Sequence, residues 1–403
     1  MRIRYLLLHA YGTGGTIRTV INQANTLVAA GHDIELVSVV RHKDEPWFPL
    51  DPRVKITSLT DSRSSAPAEE PARGRAAARR RQREEKWREE RPKYVPEGEF
   101  GSRYFNRYLE KVLEEYFRGL RDGILVTTRP ALNILAARYA TNRGVIRVAQ
   151  EHMNLSVHRP DVQEAIKRYY PRFDAVAVLT QRDREEYGRL LPGVKLLRIP
   201  NAVHSMDQKP SDHTNKVVLA AGRLFPQKGF DMLIPAWAKV AERHPDWQLR
   251  IFGTGERWPQ LRKLIEEHHL YNHVFLMGHT QQLDDELAKA SVYVLSSRFE
   301  GLPMVMIEAM AHALPVVSFD CPTGPADVLT DGQEGLLVPP KDIDGLADAL
   351  CRLLDDRSLR STMGEAALKT AHNYAPEAVH PQWEDLFSEL LAAHGGGRGK
   401  VEA

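Results

Sequence analysis

The sequence predicts an α/β protein built from two Rossmann-like, doubly wound, parallel-sheet domains facing a cleft. Three observations carry this. The chain has 403 residues, more than one ordinary hydrophobic core accommodates. Short apolar runs alternate with helix-period segments along most of its length, the pattern of strands joined by covering helices. The alternation also stops and restarts across a polar stretch at 204–215, "HSMDQKPSDHTN", which carries no core-forming pattern and reads as the linker between the domains.

In the first series, "RIRYLLLHA" reads as a buried strand, "TIRTVINQANTLVAAGH" as a helix closed by Gly31, and "DIELVSVV" as the next strand. "GILVTT", "VIRVAQEH" and "DAVAVLT" continue the series. It is interrupted at about 61–98, where Arg, Glu, Ala, Ser and Pro replace core formers. "AAARRRQREEKWREE" suits a solvated helix with Arg80 four residues from Glu84. Beyond it, Tyr104, Tyr108, Val112 and Tyr116 form one fourfold-spaced row, and Phe105, Leu109, Leu113 and Phe117 a second, as in an amphipathic core helix. The second series comprises "KVVLAAGR", "WQLRIFG", "VFLMGH", "SVYVLSS", "LPVVSFD" and "EGLLVPP". The expected domains are therefore 1–203 and 204–375. A closing segment, 376–403, supplies a helix long enough to return to the first domain and a frayed "GGGRGKVEA" tail.

Composition narrows the function classes. Hydrophobic residues make up 42% and charged residues 27%, with a net charge of +2. Residues 63–93 hold eleven Lys/Arg against six Asp/Glu, so positive charge is local, and a protein that binds nucleic acid over its whole surface is excluded. Cys321 and Cys351, the two cysteines, have no zinc spacing and no disulfide framework, which fits a reducing, cytoplasmic setting. The first apolar run is too short for a secretion signal, and no stretch reaches 18 apolar residues.

Three stretches carry chemistry. Gly12, Gly14 and Gly15 fall between the first strand and first helix, where backbone approaches a ligand and helix amides favour an anion. A dinucleotide fingerprint would need another glycine where Ile17 stands, which weakens an NAD-linked oxidoreductase reading; Glu35 suits a ribose or an ordinary strand acid. Arg223 and Lys228 lie in a strand-to-helix turn, placed for a doubly charged phosphate leaving group or for plain solvation. In "RFEGLPMVMIEAMAHA", Glu300 precedes a helix opened by Pro303, and Glu308 sits inside that nearly all-apolar helix. The amides of 301–305, including Gly301, Leu302 and Pro303's neighbours, face a phosphate or sugar oxygen. Two acids flanking such a turn fit a nucleotide sugar, a hydrolase acid/base pair, or, for Glu308, a structural acid.

"RFEGLPMVMIEAMAHALPVVSFD" resembles the Glu-x7-Glu region of family 4 retaining glycosyltransferases of the GT-B fold. The resemblance extends through "AAGHDIELVS", "PNAV", "GRLFPQKG", "FGTGE" and "DGQEGLLVPPKD". It implies a metal-independent transferase that takes a hexose-type unit from a nucleotide diphosphate sugar, UDP favoured over GDP, with retention of configuration. By the same resemblance Glu300 holds the transferred sugar's hydroxyls and Glu308 the ribose. Arg223 and Lys228 neutralise the departing diphosphate, and His152 bonds the donor sugar near the reacting carbon. Gly14 and Gly15 border the donor phosphate on the acceptor-side domain, and Gly301, Leu302 and Pro303 line the donor. No metal and no other cofactor is implied. The sequence departs from the family pattern at His312-Ala313, where a small residue and glycine are usual. "CPTGPADVL" resembles members that build cell-envelope polysaccharide or teichoic-type polymers, implying a glycan, polymer or lipid-linked acceptor. The basic insertion 63–93 is a candidate contact with the inner face of an anionic membrane. A sugar-nucleotide epimerase and a non-catalytic GT-B binding protein are the competing readings.

Overall fold

The computed structural model describes residues 1–64 and 74–396. The first part of the basic insertion, 65–73, and the tail from 397 lie outside the described residues. The chain forms two compact units, one of 1–199 with 380–403 and one of 200–379.

The first unit contains β1 (Arg2–Leu7), α1 (Gly15–Ala29), β2 (Asp33–Arg41), β3 (Lys55–Asp61), α2 (Arg75–Glu89), α3 (Arg107–Gly119), β4 (Gly123–Thr127), α4 (Pro130–Tyr139), β5 (Val145–Gln150), α5 (Pro160–Tyr169), β6 (Ala175–Val178), α6 (Gln181–Leu190) and β7 (Leu196–Arg198). Its seven strands run in the order β3-β2-β1-β4-β5-β6-β7, and every pairing is parallel. The central strands are apolar on both faces because helices cover both, and Leu6, Val37, Leu125 and Val176 join one core with Ile134 and Phe117. Of the two aromatic rows expected after the insertion, Phe105, Leu109, Leu113 and Phe117 are buried. Tyr104 precedes the helix and is 52% exposed, because Asn106 caps α3 by accepting a bond from the Leu109 amide at 2.9 Å.

The insertion's helix α2 has no buried residue. Arg80 pairs with Glu84 at 2.8 Å, as their spacing predicted. Cation contacts tie α2 to α3: the Arg88 guanidinium lies 3.8 Å from the Tyr108 ring centre and the Lys111 ammonium 5.9 Å from that of Trp87.

The second unit contains β8 (Val217–Ala221), α7 (Phe230–Arg243), β9 (Gln248–Phe252), α8 (Trp258–Glu267), β10 (Val274–Gly278), α9 (Leu283–Lys289), β11 (Val292–Leu295), α10 (Met304–Ala311), β12 (Val316–Phe319), α11 (Pro325–Val328), β13 (Gly335–Val338), α12 (Ile343–Asp355) and α13 (Arg357–Ala371). The strand order is β10-β9-β8-β11-β12-β13. Its core gathers Val218, Leu249, Val294 and Val317 from the sheet with Trp237 and Leu350 from the helices. Residues 204–215, expected as a linker, are instead folded into this unit. Ser211 donates to the Ala290 carbonyl, the Ser211 amide to the His312 carbonyl, and His213 is buried.

The last helix, α14 (Pro376–Gly396), belongs to the first unit from His380 onward. There Glu384 bonds His32 at 2.8 Å, Glu389 pairs with Lys195, and His394 meets Asp174 at 3.1 Å. Trp383 and Phe387 seal the helix against the unit, both almost fully buried.

Candidate active site

Each sheet reverses its winding once. In the second unit the reversal falls between β8 and β11, and ligands of such sheets bind beyond the carboxyl ends of the strands that flank it. Lys228 follows β8, Glu300 follows β11, and the fold brings them together: Lys228 Nζ lies 2.6 Å from Glu300 Oε1. Glu300 is 5% exposed. Ser297 Oγ donates to the same Oε1 at 2.5 Å, so Oε2 takes no bond from the described residues.

Local sequence explains how the lysine is aimed. Pro226–Lys228 is a single tight turn ended by Gly229 at φ +64. A Cβ there would lie 2.0 Å from the Ser296 carbonyl oxygen, so only glycine allows the two loops to meet. The lysine stem crosses Gly222, whose Cβ would come within 2.8 Å of Lys228 Cε. The loops are laced further: Ser296 Oγ donates to the Lys228 carbonyl at 2.9 Å, Gln227 Nε2 to the Phe299 carbonyl at 3.0 Å, and Arg298 forks onto Asp231 at 2.8 and 2.6 Å.

The loop after β12 closes the other side of Glu300. Thr323 Oγ1 donates to the Glu300 carbonyl at 2.7 Å, and a Cβ on Gly324 would stand 3.0 Å from the Gly301 carbonyl oxygen and 3.1 Å from Pro303 Cδ. Gly301, Leu302 and Pro303 therefore form a turn held between two loops, and Pro303 is the residue capping α10 rather than its first helical residue. Cys321 lies beside this turn, its thiol pushed up to about 12 by burial and the nearby Glu300 carboxylate, which leaves it an unreactive neighbour. Arg223, in the same β8 loop as Lys228, is exposed, with its guanidinium 5.5 Å from the Phe225 ring centre.

Glu308 has its own surroundings. It is 8% exposed on α10. His204 Nδ1 lies 3.8 Å from its Oε1, and His204 Nε2 lies 3.0 Å from Asp284 Oδ2. His312 Nε2 approaches the other oxygen of Asp284 at 3.4 Å. Hydrogen bonds from His204, then from His312, hold the Asp284 carboxyl well below the usual carboxylate range. Ser297, Thr323, Asp284 and His204 join these surroundings without standing out in the sequence; the doubled serine closing "VYVLSS" and the histidine directly after "PNAV" are the signals it offers.

Gly14, Gly15 and His152 belong to the first unit, beyond the carboxyl ends of β1 and β5. Gly14 precedes α1 without a side-chain cap. A Cβ at Gly15 would meet no atom of the described residues within 4 Å, so their packing does not dictate that glycine. Among the described residues, neither ring nitrogen of His152 has a hydrogen-bond partner, and burial pushes its pKa down to about 4, making it a neutral imidazole near pH 7. Glu151 beside it accepts from Asn133 Nδ2 at 2.6 Å and from the Tyr170 hydroxyl. Burial raises its pKa to about 7.

Comparison with known proteins places this geometry in context. Residues 204–370 match the family model described as "Glycosyl transferases group 1". An exopolysaccharide phosphotransferase of Streptomyces coelicolor is 35% identical over 97% of this chain, which spans 41% of that protein's length. A poly(ribitol-phosphate) alpha-N-acetylglucosaminyltransferase of Staphylococcus aureus is 29% identical over 70% of this chain and 57% of its own. Among solved structures, a Staphylococcus aureus TarM mutant in complex with Fondaparinux, alpha-GlcNAc-glycerol and UDP superposes with a TM-score of 0.75 at 17% identity, covering 96% of this chain and all of that one. The two units are those of the GT-B fold.

Proposed function

We propose, from the premise that residues 204–370 belong to the glycosyl transferases group 1 family, that this protein transfers a hexose-type unit from a nucleotide diphosphate sugar to an acceptor hydroxyl. The observation that carries the reading is the Lys228–Glu300 pair, 2.6 Å apart at the reversal point of the second sheet. A lysine ammonium has three donors; one serves Glu300, and the others are available to a diphosphate oxygen as negative charge develops there. Arg223, exposed on the same loop, adds a second cation. Oε2 of Glu300 accepts from a sugar hydroxyl, and Glu308 accepts from the ribose. The turn at Gly301, Leu302 and Pro303 fixes the donor between them.

In the first unit, His152 serves as a neutral hydrogen-bonding imidazole toward the donor sugar, and Gly14 and Gly15 let the backbone of α1's first turn approach donor phosphate. Two cations and helix amides carry the diphosphate charge in this reading, with no metal assigned. UDP is the donor nucleotide and retention the stereochemical outcome, in keeping with the resemblance of the motifs. The acceptor is a cell-envelope glycan or polymer precursor, in line with the names of the relatives.

No described helix is long and apolar enough to cross a membrane. We place the protein in the cytoplasm, with α2 and its flanks meeting an anionic membrane face through charge, at about 1 kcal/mol per basic residue near the surface. Trp87 packs between Arg83 and Lys111, so the contact is electrostatic rather than inserted. Binding to phosphatidylglycerol vesicles but not phosphatidylcholine vesicles, lost in 0.5 M salt as about the order at which screening becomes severe, is the expected result.

The test is sugar transfer and nucleotide release from UDP-sugars with a phosphopolymer acceptor, with the product anomer assigned by NMR. Glu300→Gln is expected to lower the rate on the order of a hundredfold or more. Transfer by Glu300→Gln and Lys228→Ala at the wild-type rate would show the site to be wrongly assigned. A product formed without acceptor would mark an epimerase instead.

A further inference from the structure

Glu308 is an acid inside a buried helix, and the groups behind it form a chain. His204 stands between two carboxylates, Nδ1 at 3.8 Å from Glu308 and Nε2 at 3.0 Å from Asp284. His312, one helical turn beyond Glu308, meets the second oxygen of Asp284 at 3.4 Å and fixes its own Nδ1 on the Lys209 carbonyl at 2.8 Å. The four groups come from three places in the chain: the strap after "PNAV", the first turn of α9, and α10 with its cap. The strap is itself anchored, since the Ser211 amide donates to the His312 carbonyl at 2.8 Å.

The chemistry of imidazole gives this arrangement a direction. His204 Nε2 is shared between Asp284 at 3.0 Å and Gln208 Nε2 at 3.1 Å, which fixes the ring and turns Nδ1 toward Glu308. Asp284 is therefore placed to orient the His204 ring, and the ring to limit rotation of the Glu308 carboxylate that it faces. A carboxylate set to receive two neighbouring hydroxyls needs oxygens that do not rotate away.

We infer that His204 and Asp284 are positioning residues for the donor nucleotide's ribose, acting through Glu308. The inference rests on the proposed donor role of Glu308 and adds to it a residue pair that sets affinity for the ribose alone. Neither residue is placed at the reacting carbon, so the effect is on donor binding rather than on the chemical step.

The experiment measures binding of UDP, 2′,3′-dideoxy-UDP and inorganic pyrophosphate to wild type, His204→Ala, His204→Gln and Asp284→Asn by calorimetry, with thermal unfolding as a check on folding. Wild type is expected to prefer UDP over its dideoxy analogue. His204→Ala is expected to weaken UDP roughly tenfold, about the size of one ribose hydrogen bond lost when the Glu308 carboxylate turns away, while pyrophosphate binding stays as in wild type and the dideoxy preference is lost. In turnover the same variant raises KM for the sugar nucleotide more than it lowers kcat. Asp284→Asn acts in the same direction, and His204→Gln recovers none of the preference because its flexible amide does not hold the Glu308 carboxylate as the anchored ring does. If UDP and pyrophosphate weaken equally, or the dideoxy preference survives in His204→Ala, the inference is overturned while the donor reading stands. If wild type binds UDP and its dideoxy analogue alike, the ribose role of Glu308 falls, and the inference falls with it.

Discussion

Lys228 Nζ and Glu300 Oε1 lie 2.6 Å apart although 72 residues separate them in the chain. Their loops follow the two strands between which the second sheet reverses direction. The lysine side chain is 18% exposed and the glutamate side chain 6%, so each charge depends on the other. Lys228→Met alone strands a buried carboxylate and is expected to cost about 3 kcal/mol of folding stability. The double variant Lys228→Met with Glu300→Gln is expected to recover most of that in urea unfolding, yet to show no sugar transfer. Recovery of both stability and transfer would make the pair structural.

Gly229 and Gly15 make opposite predictions. Alanine at Gly229 requires φ +64 and puts its Cβ 2.0 Å from the Ser296 carbonyl. A loss of about 2 kcal/mol or more is expected, with the Lys228 turn displaced.

At Gly15, by contrast, a Cβ meets no atom of the described residues within 4 Å, and alanine suits the first turn of a helix. Gly15→Ala is expected to leave the unfolding midpoint unchanged or slightly higher while slowing transfer at least tenfold. Unchanged transfer would remove this glycine from the donor site.

The fold was legible because strands buried on both faces read as unbroken apolar runs, as "VVLAA" and "VYVL" do. What escaped were the edges of the first sheet. β3, "KITSLTD", is half-buried and largely polar, and β7 is three residues long, so neither rises above a loop in pattern. Glu300, Lys228 and Glu308 were legible because charged residues at strand ends or inside an apolar helix contradict their surroundings. Ser297, Thr323 and Asp284 were not, since each sits in an ordinary polar stretch and gains its role only when distant loops meet. The strap at 204–215 was read as a linker for a related reason: its packing is made by a few hydrogen bonds and two histidines, which leave no hydrophobic period.

Glu151 supplies a pH signature for the first unit. Its folded pKa of about 7 stands above the ordinary 4.5 because of burial. The folded state thus keeps a proton that the unfolded chain gives up. The group's stabilising contribution is full below pH 4.5 and is lost as pH rises through 7. Glu151→Gln, isosteric and unable to ionise, is expected to match wild type near pH 4.5 and to exceed it by on the order of 2–3 kcal/mol above pH 7.5, by urea unfolding. A constant difference across that range would assign the burial cost elsewhere.

The central claim is that the second unit holds a nucleotide diphosphate through protein cations. The most direct measurement is calorimetric titration of wild type and Lys228→Met with UDP, GDP and ADP in the presence of EDTA. The account predicts single-site binding of UDP to wild type, tighter than GDP or ADP, and at least tenfold weaker binding to Lys228→Met. Binding of no nucleotide in EDTA, or equal affinity in the variant, would contradict it.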